Sequence, residues 1–154
     1  MTRNPSRDSV HGAEPVAAVH RARIEWADTD AAGHHHNTAI VRLVEAAEAT
    51  LMQERGITGY FGVAPRVHYE ADFHARLWFG QFITVTLVIE HVGRSSLTFR
   101  FEVWGEETTD HPRALAATGR YVTVHVPRAA HTGVPWPPEW LAALTQNLAL
   151  PPTD

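Results

Sequence analysis

One helical stripe set between a single strand pattern and four more is the feature that most narrows the fold. Apolar residues recur at Ile40, Leu43, Val44, Ala47 and Leu51, the spacing of a helix with one buried face. Alanines at 39, 46, 47 and 49 favour that helix and let it lie close to a sheet. Asn37 or Thr38 can cap its start. Gly56 ends it just after Arg55, a cation suited to the C-terminal dipole. Residues 19–26 alternate as a half-buried strand, and 27–36 read as a loop. After Gly59, Gly62 and Pro65 the pattern turns to β. Residues 66–75, 81–92, 96–105 and 114–126 are rich in Val, Thr, Phe, Tyr and Ile, and turn signals between them suggest antiparallel hairpins. Pro127 stops the last strand. Residues 139–148 read as a short C-terminal helix in which Trp140, Leu141 and Leu144 pack. The fold class is therefore α+β: a long central helix wrapped by a five-stranded antiparallel sheet, with a short C-terminal helix. Joining two sheets in a dimer is the simplest way to cover an open edge.

Composition bounds the function. A chain of 154 residues, 44% hydrophobic and 19% charged, holds one domain. Residues 1–16 read as a disordered polar tail and 17–150 as that domain. The net charge of −4 gives no global basic field, which argues against nucleic acid as a partner. No apolar run approaches the ~18 residues of a membrane span, and the polar N-terminus lacks a signal-peptide segment, so a cytoplasmic protein without a membrane partner is expected. The absence of cysteine excludes disulfides, Cys-ligated metals and thiol nucleophiles. Eleven histidines raise the question of a metal. Consecutive side chains at His34, His35 and His36 diverge, however. His20, His68 and His74 form no helical ligand spacing with them, so neither metal nor cofactor is expected.

Residues 26–37 set Asp28, Asp30, Gly33 and three histidines directly ahead of the helix. Amides at a helix start are unpaired and can hold a developing oxyanion. A carboxylate a few residues upstream can attack the same carbonyl or activate water against it, which makes the segment a candidate acyl-transfer site. Asp30 is the candidate catalytic group, as nucleophile or general base. Asp28 either shares its face and perturbs it, or bonds to backbone and holds the turn. Gly33 supplies a turn or a close approach to substrate. His36 is the candidate for touching the acyl group or water, and Asn37 acts through its N–H, as a cap, or both. Glu45 and Glu48 sit beside the apolar stripe and suit a solvated or interface face. Phe73, Tyr69, Trp78 and Phe79 suit packing in the core or between subunits. No phosphate-binding glycine loop and no Gly-x-Ser-x-Gly elbow is present.

The run Ile24-Glu25-Trp26-Ala27-Asp28-Thr29-Asp30-Ala31-Ala32-Gly33 continues through His36-Asn37 into the helix. Gly93-Arg94-Ser95-Ser96 precedes a Phe-containing strand. Together these segments resemble the hotdog-fold acyl-CoA thioesterases of the 4-hydroxybenzoyl-CoA thioesterase-like group, and the likeness spans 19–126. It implies a hotdog fold, a homodimer or homotetramer, and hydrolysis of acyl-CoA to free acid and coenzyme A. It also implies that Asp30 is catalytic and that the amide near Asn37 polarises the thioester carbonyl. Arg94 and Ser95, with Ser96 and Gly33, would contact the substrate or its coenzyme A portion, Arg94 by pairing with a phosphate. Some hotdog thioesterases carry a catalytic Glu on the helix, which makes Glu48 and then Glu45 the substitutes for Asp30. The chain departs from the aromatic-CoA members at His34-His35-His36, where they carry apolar or aromatic residues, so the acyl group stays open. Two other functions fit the same resemblance: a non-catalytic acyl-CoA-binding protein, and an enoyl-CoA hydratase or dehydratase pairing Asp with His.

Overall fold

The computed structural model describes residues 17–146. The expected tail at 1–16, and residues 147–150 of the expected domain, lie outside them. The elements are β1 (Ala17–Arg23), α1 (Asn37–Glu54), β2 (Arg66–Phe73), β3 (Phe82–Val92), β4 (Ser96–Gly105), β5 (Ala114–Val124) and α2 (Pro138–Thr145). The strands form one antiparallel sheet in the order β1-β3-β4-β5-β2, and α1 packs against β1, β3 and β4. This is the hotdog arrangement that the resemblance implies.

The helix forms where its stripe dictates. Ile40, Leu43, Val44, Ala47 and Leu51 are fully buried against inward residues of the sheet such as Val85, Leu87, Phe99 and Phe101. Burying each of the larger side chains contributes about 1.5–3 kcal/mol. Arg55 closes α1, and Gly56 follows at φ 67°, the left-handed conformation that glycine adopts most readily. Gly119 is needed for a different reason. A Cβ there would stand 2.3 Å from the Glu70 carbonyl oxygen and from the Phe101 ring, so β2, β4 and β5 can close only over a bare backbone.

Several boundaries differ from those expected. β1 stops at Arg23 rather than 26, because Asp28 accepts the Glu25 N–H at 2.9 Å and folds Trp26–Asp28 into a 3-10 turn. The helix cap is His36, with no side-chain cap bond, so neither Asn37 nor Thr38 caps α1 through its side chain. β2 ends at Phe73 and β5 at Val124, and α2 runs over Pro138–Thr145. β2 forms no hairpin with β3. It crosses to the far side and pairs with β5, becoming one open edge while β1 is the other.

Glu48 corrects the expected solvated face. It is fully buried, paired through Oε2 with Arg66 at the start of β2, while its Oε1 has no partner. Burial pushes its carboxyl above the ordinary carboxylate range, against the opposing pull of the Arg66 guanidinium. Glu45 lies at the solvated rim of the same guanidinium, 3.7 Å away.

Candidate active site

The loop between β1 and α1 is tied at both ends. Asp28 accepts Arg42 Nε at 3.0 Å and Arg42 Nη2 at 2.6 and 2.7 Å, which anchors it to the second turn of α1. Its main-chain oxygen takes the His36 N–H at 2.7 Å. Asp28 is thus a holder of the loop. Between these ties, Asp30-Ala31-Ala32-Gly33 forms a turn in which the Gly33 N–H meets the Asp30 carbonyl at 3.0 Å. Asp30 Oδ1 accepts the Ala32 N–H at 2.8 Å, the aspartate turn bond expected of this residue type. Gly33 has φ 82° and open space where a Cβ would lie, so it serves the turn and not a crowded contact.

The strand-like return from this turn docks on the segment before β3. The His35 N–H donates to the Leu77 carbonyl at 2.8 Å, and the Leu77 N–H donates back to His35 Nδ1 at 3.0 Å. α1 then begins. The Asn37 and Thr38 amides have no acceptor among the described residues, as the first turn of a helix requires unless something caps it. The macrodipole adds partial positive charge there.

Two cavities meet at this helix start and share Asn37 and Phe73. One, about 280 Å³, is bounded by His34, His35, His74 and Arg76 and is the more polar of the two, although most of its wall is apolar. The other, about 260 Å³, is apolar and bounded by Thr38, Ile40, Val41, Tyr69 and Ala71. The junction therefore offers free amides between a chamber that carries polar side chains and one that is almost wholly apolar.

The expected residues divide around it. Asn37 lies at the junction. Asp30 is half-buried beside the loop and lines neither chamber in the single chain. His36 is exposed and also lines neither in the single chain. His34 and His35 bound the first chamber. Both of these rings are half-buried, whereas His36, at the cap of α1, is exposed. Nothing in the run of three histidines signals which of them bound the chamber. Burial, and then the neighbouring His34, hold the His35 ring below the usual histidine range.

Arg94, Ser95 and Ser96 are not brought to this site within one chain. They form the β3–β4 turn, where the Gly93 N–H meets the Ser96 carbonyl and the Trp136 and His125 amides meet Arg94 and Ser95 carbonyls. That turn is at the opposite end of the ten-residue β4, roughly 30 Å away at the usual rise per residue. Among the described residues no three His, Asp or Glu side chains converge to hold a metal ion. None of the helices described is long and apolar enough to cross a membrane.

A family model described as the thioesterase-like superfamily matches residues 24–144. Among solved structures, the chain is similar to a 1,4-dihydroxy-2-naphthoyl-CoA thioesterase from Synechocystis, at 19% identity and TM-score 0.73, covering 83% of this chain and 95% of that one. It is similar to 4-hydroxybenzoyl-CoA thioesterase from Pseudomonas sp. strain CBS-3, at 19% identity and TM-score 0.72, covering 82% and 98%. It is also similar to a predicted thioesterase from Bacillus stearothermophilus, at 22% identity and TM-score 0.74, covering 88% and 99%. These likenesses establish a shared fold. No curated protein matches the chain.

Proposed function

This chain belongs to the thioesterase-like superfamily, and we propose that it hydrolyses an acyl-CoA thioester to the free acid and coenzyme A. The observation that carries this reading is the pair of unpartnered amides at Asn37 and Thr38, set where the polar and apolar chambers meet. A thioester carbonyl at the junction receives the Asn37 N–H. Its acyl group enters the apolar chamber beside Ile40, Val41 and Tyr69, and the sulfur arm leaves past His74 and Arg76. The amide and the helix dipole stabilise the oxyanion as charge develops. Asp30 supplies the carboxylate. As nucleophile it forms a mixed anhydride while the C–S bond breaks and the thiolate leaves, and water then cleaves the anhydride. As base it takes a proton from water, which attacks the carbonyl directly.

A second copy of the chain completes the site in this proposal. β2 is an open edge that carries the exposed Val67 and Phe73. Antiparallel pairing of two β2 edges covers them and reverses the partner sheet end for end. The second copy's 93–96 turn then falls on the same side as this chain's helix start, within reach of an extended coenzyme A. Coenzyme A contact by Arg94, Ser95 and Ser96 is thus a property of the dimer, whether or not dimers pair further into a tetramer.

One observation favours a second reading, a non-catalytic acyl-CoA binder: Asp30 spends one oxygen on its own turn and lines neither chamber. Thiol release from a panel of aromatic and aliphatic acyl-CoAs separates the two. A hydrolase releases stoichiometric thiol with saturation kinetics. Saturable binding without thiol supports the binder, and loss of enoyl absorbance without thiol identifies a hydratase.

A further inference from the structure

His35 has a hydrogen-bonding state fixed by its surroundings. The Leu77 N–H donates to Nδ1 at 3.0 Å, and an amide N–H can only donate, so Nδ1 must carry a lone pair. A neutral imidazole has one N–H, which is therefore on Nε2. Nε2 has no partner among the described residues, and the ring bounds the polar chamber together with Asn37. The ring has little freedom to turn. Its backbone is pinned by the reciprocal Leu77 bond, Leu77 is itself buried, and the Phe73 ring lies 6.3 Å away.

We infer that His35 is an oxyanion donor of this site: its Nε2–H stands with the Asn37 amide as a second hydrogen bond to the thioester carbonyl oxygen, strengthening as negative charge develops there. The inference rests on the hydrolase reading. A donor held in place before substrate arrives needs no reorganisation as the oxyanion forms, the condition under which such groups contribute most. Burial and the neighbouring His34 keep the ring neutral, and protonating Nδ1 would also break the Leu77 bond. The same geometry removes His35 as a general base. Its one free nitrogen already bears a hydrogen, so proton removal stays with Asp30. His35 thus separates two tasks that a run of three histidines leaves undivided.

Two substitutions and one spectrum test this. His35→Asn keeps a carbonyl oxygen where Nδ1 met the Leu77 N–H but withdraws the donor. His35→Gln extends an amide N–H toward the former place of Nε2. The Asn variant is expected to melt close to the wild type, hold KM within about threefold, and lose roughly 10²–10³ in kcat, the cost of one oxyanion donor. The Gln variant recovers most of that kcat. In 15N NMR of the wild-type chain, His35 shows a protonated Nε2 and an unprotonated Nδ1. A kcat within about threefold of wild type in the Asn variant overturns the inference, as does a spectrum with the proton on Nδ1. If the Asn variant does not fold, the Gln variant and the spectrum decide. An active wild type beside an active Asn variant removes the donor role alone, whereas a wild type that releases no thiol from any acyl-CoA removes the hydrolase reading with it.

Discussion

Asp30→Asn lowers thioester turnover by roughly 10²–10⁴, the range for losing a positioned base or nucleophile. The substitution is a clean probe because it leaves the turn intact. The Asn side-chain oxygen can still accept the Ala32 N–H that Oδ1 accepts at 2.8 Å, and the Asp30 carbonyl still takes the Gly33 N–H. What is lost is the charge and the attacking or proton-accepting oxygen. The fall is expected in kcat, with little change in KM, because in the proposed binding mode the helix amides and the two chambers, not Asp30, hold the substrate. Steady-state thiol release measures both constants. Near-normal turnover would take Asp30 out of the mechanism. Glu48 is a poor replacement, since it is fully buried and bonded to Arg66.

Arg66→Leu is expected to destabilise the fold by about 3 kcal/mol, the lower end of what breaking a buried ion pair costs, since Arg66 keeps partial access to water. At this chain length that is a drop of roughly 6–12 °C in melting temperature. The cause is the carboxylate left behind. Glu48 is fully enclosed, its Oε1 already lacks a partner, and the hydroxyls of Tyr69 and Tyr121 also stand unpaired nearby. The pH dependence has a definite sign. Burial raises the Glu48 pKa in the folded chain above the ordinary glutamate value of 4.5, so the folded state holds the proton more tightly than the unfolded one. Stability from that proton is fully present below 4.5 and is lost as pH rises through the folded value. Removing Arg66 takes away the opposing pull, so the variant loses most at neutral pH and regains ground in acid. Thermal melts from pH 4 to 8 check this, and Glu48→Gln in the same background should flatten the dependence.

Periodicity made the architecture legible and left the site half-read. The stripe from Ile40 to Leu51 fixed α1 and its buried face. Alternation with turn residues located every strand, with Ser96–Gly105 matched at both ends. Three features depended on contacts distant in sequence. β2 pairs with β5 and not with its neighbour β3, a choice that local pattern does not encode. Glu48 looked like a surface residue because its partner Arg66 lies 18 positions away, on another element. His35 and His36 are chemically identical in the sequence. Only the docking of the loop on Leu77 decides which one faces the chamber. Asp28 was readable as a turn holder, but Arg42, its charged partner, was not. The 93–96 turn was recognisable by residue type, yet its distance from the start of α1 follows from the sheet.

The most direct trial is a crystal structure of the chain with an acyl-CoA ketone analogue, in which a methylene replaces the thioester sulfur. The ketone oxygen should lie about 2.7–3.1 Å from the Asn37 amide nitrogen, with the acyl group against Ile40 and Val41 and the carbonyl carbon facing Asp30. An analogue bound with its carbonyl away from the start of α1, or with Asp30 still turned from it in the full assembly, would contradict the account.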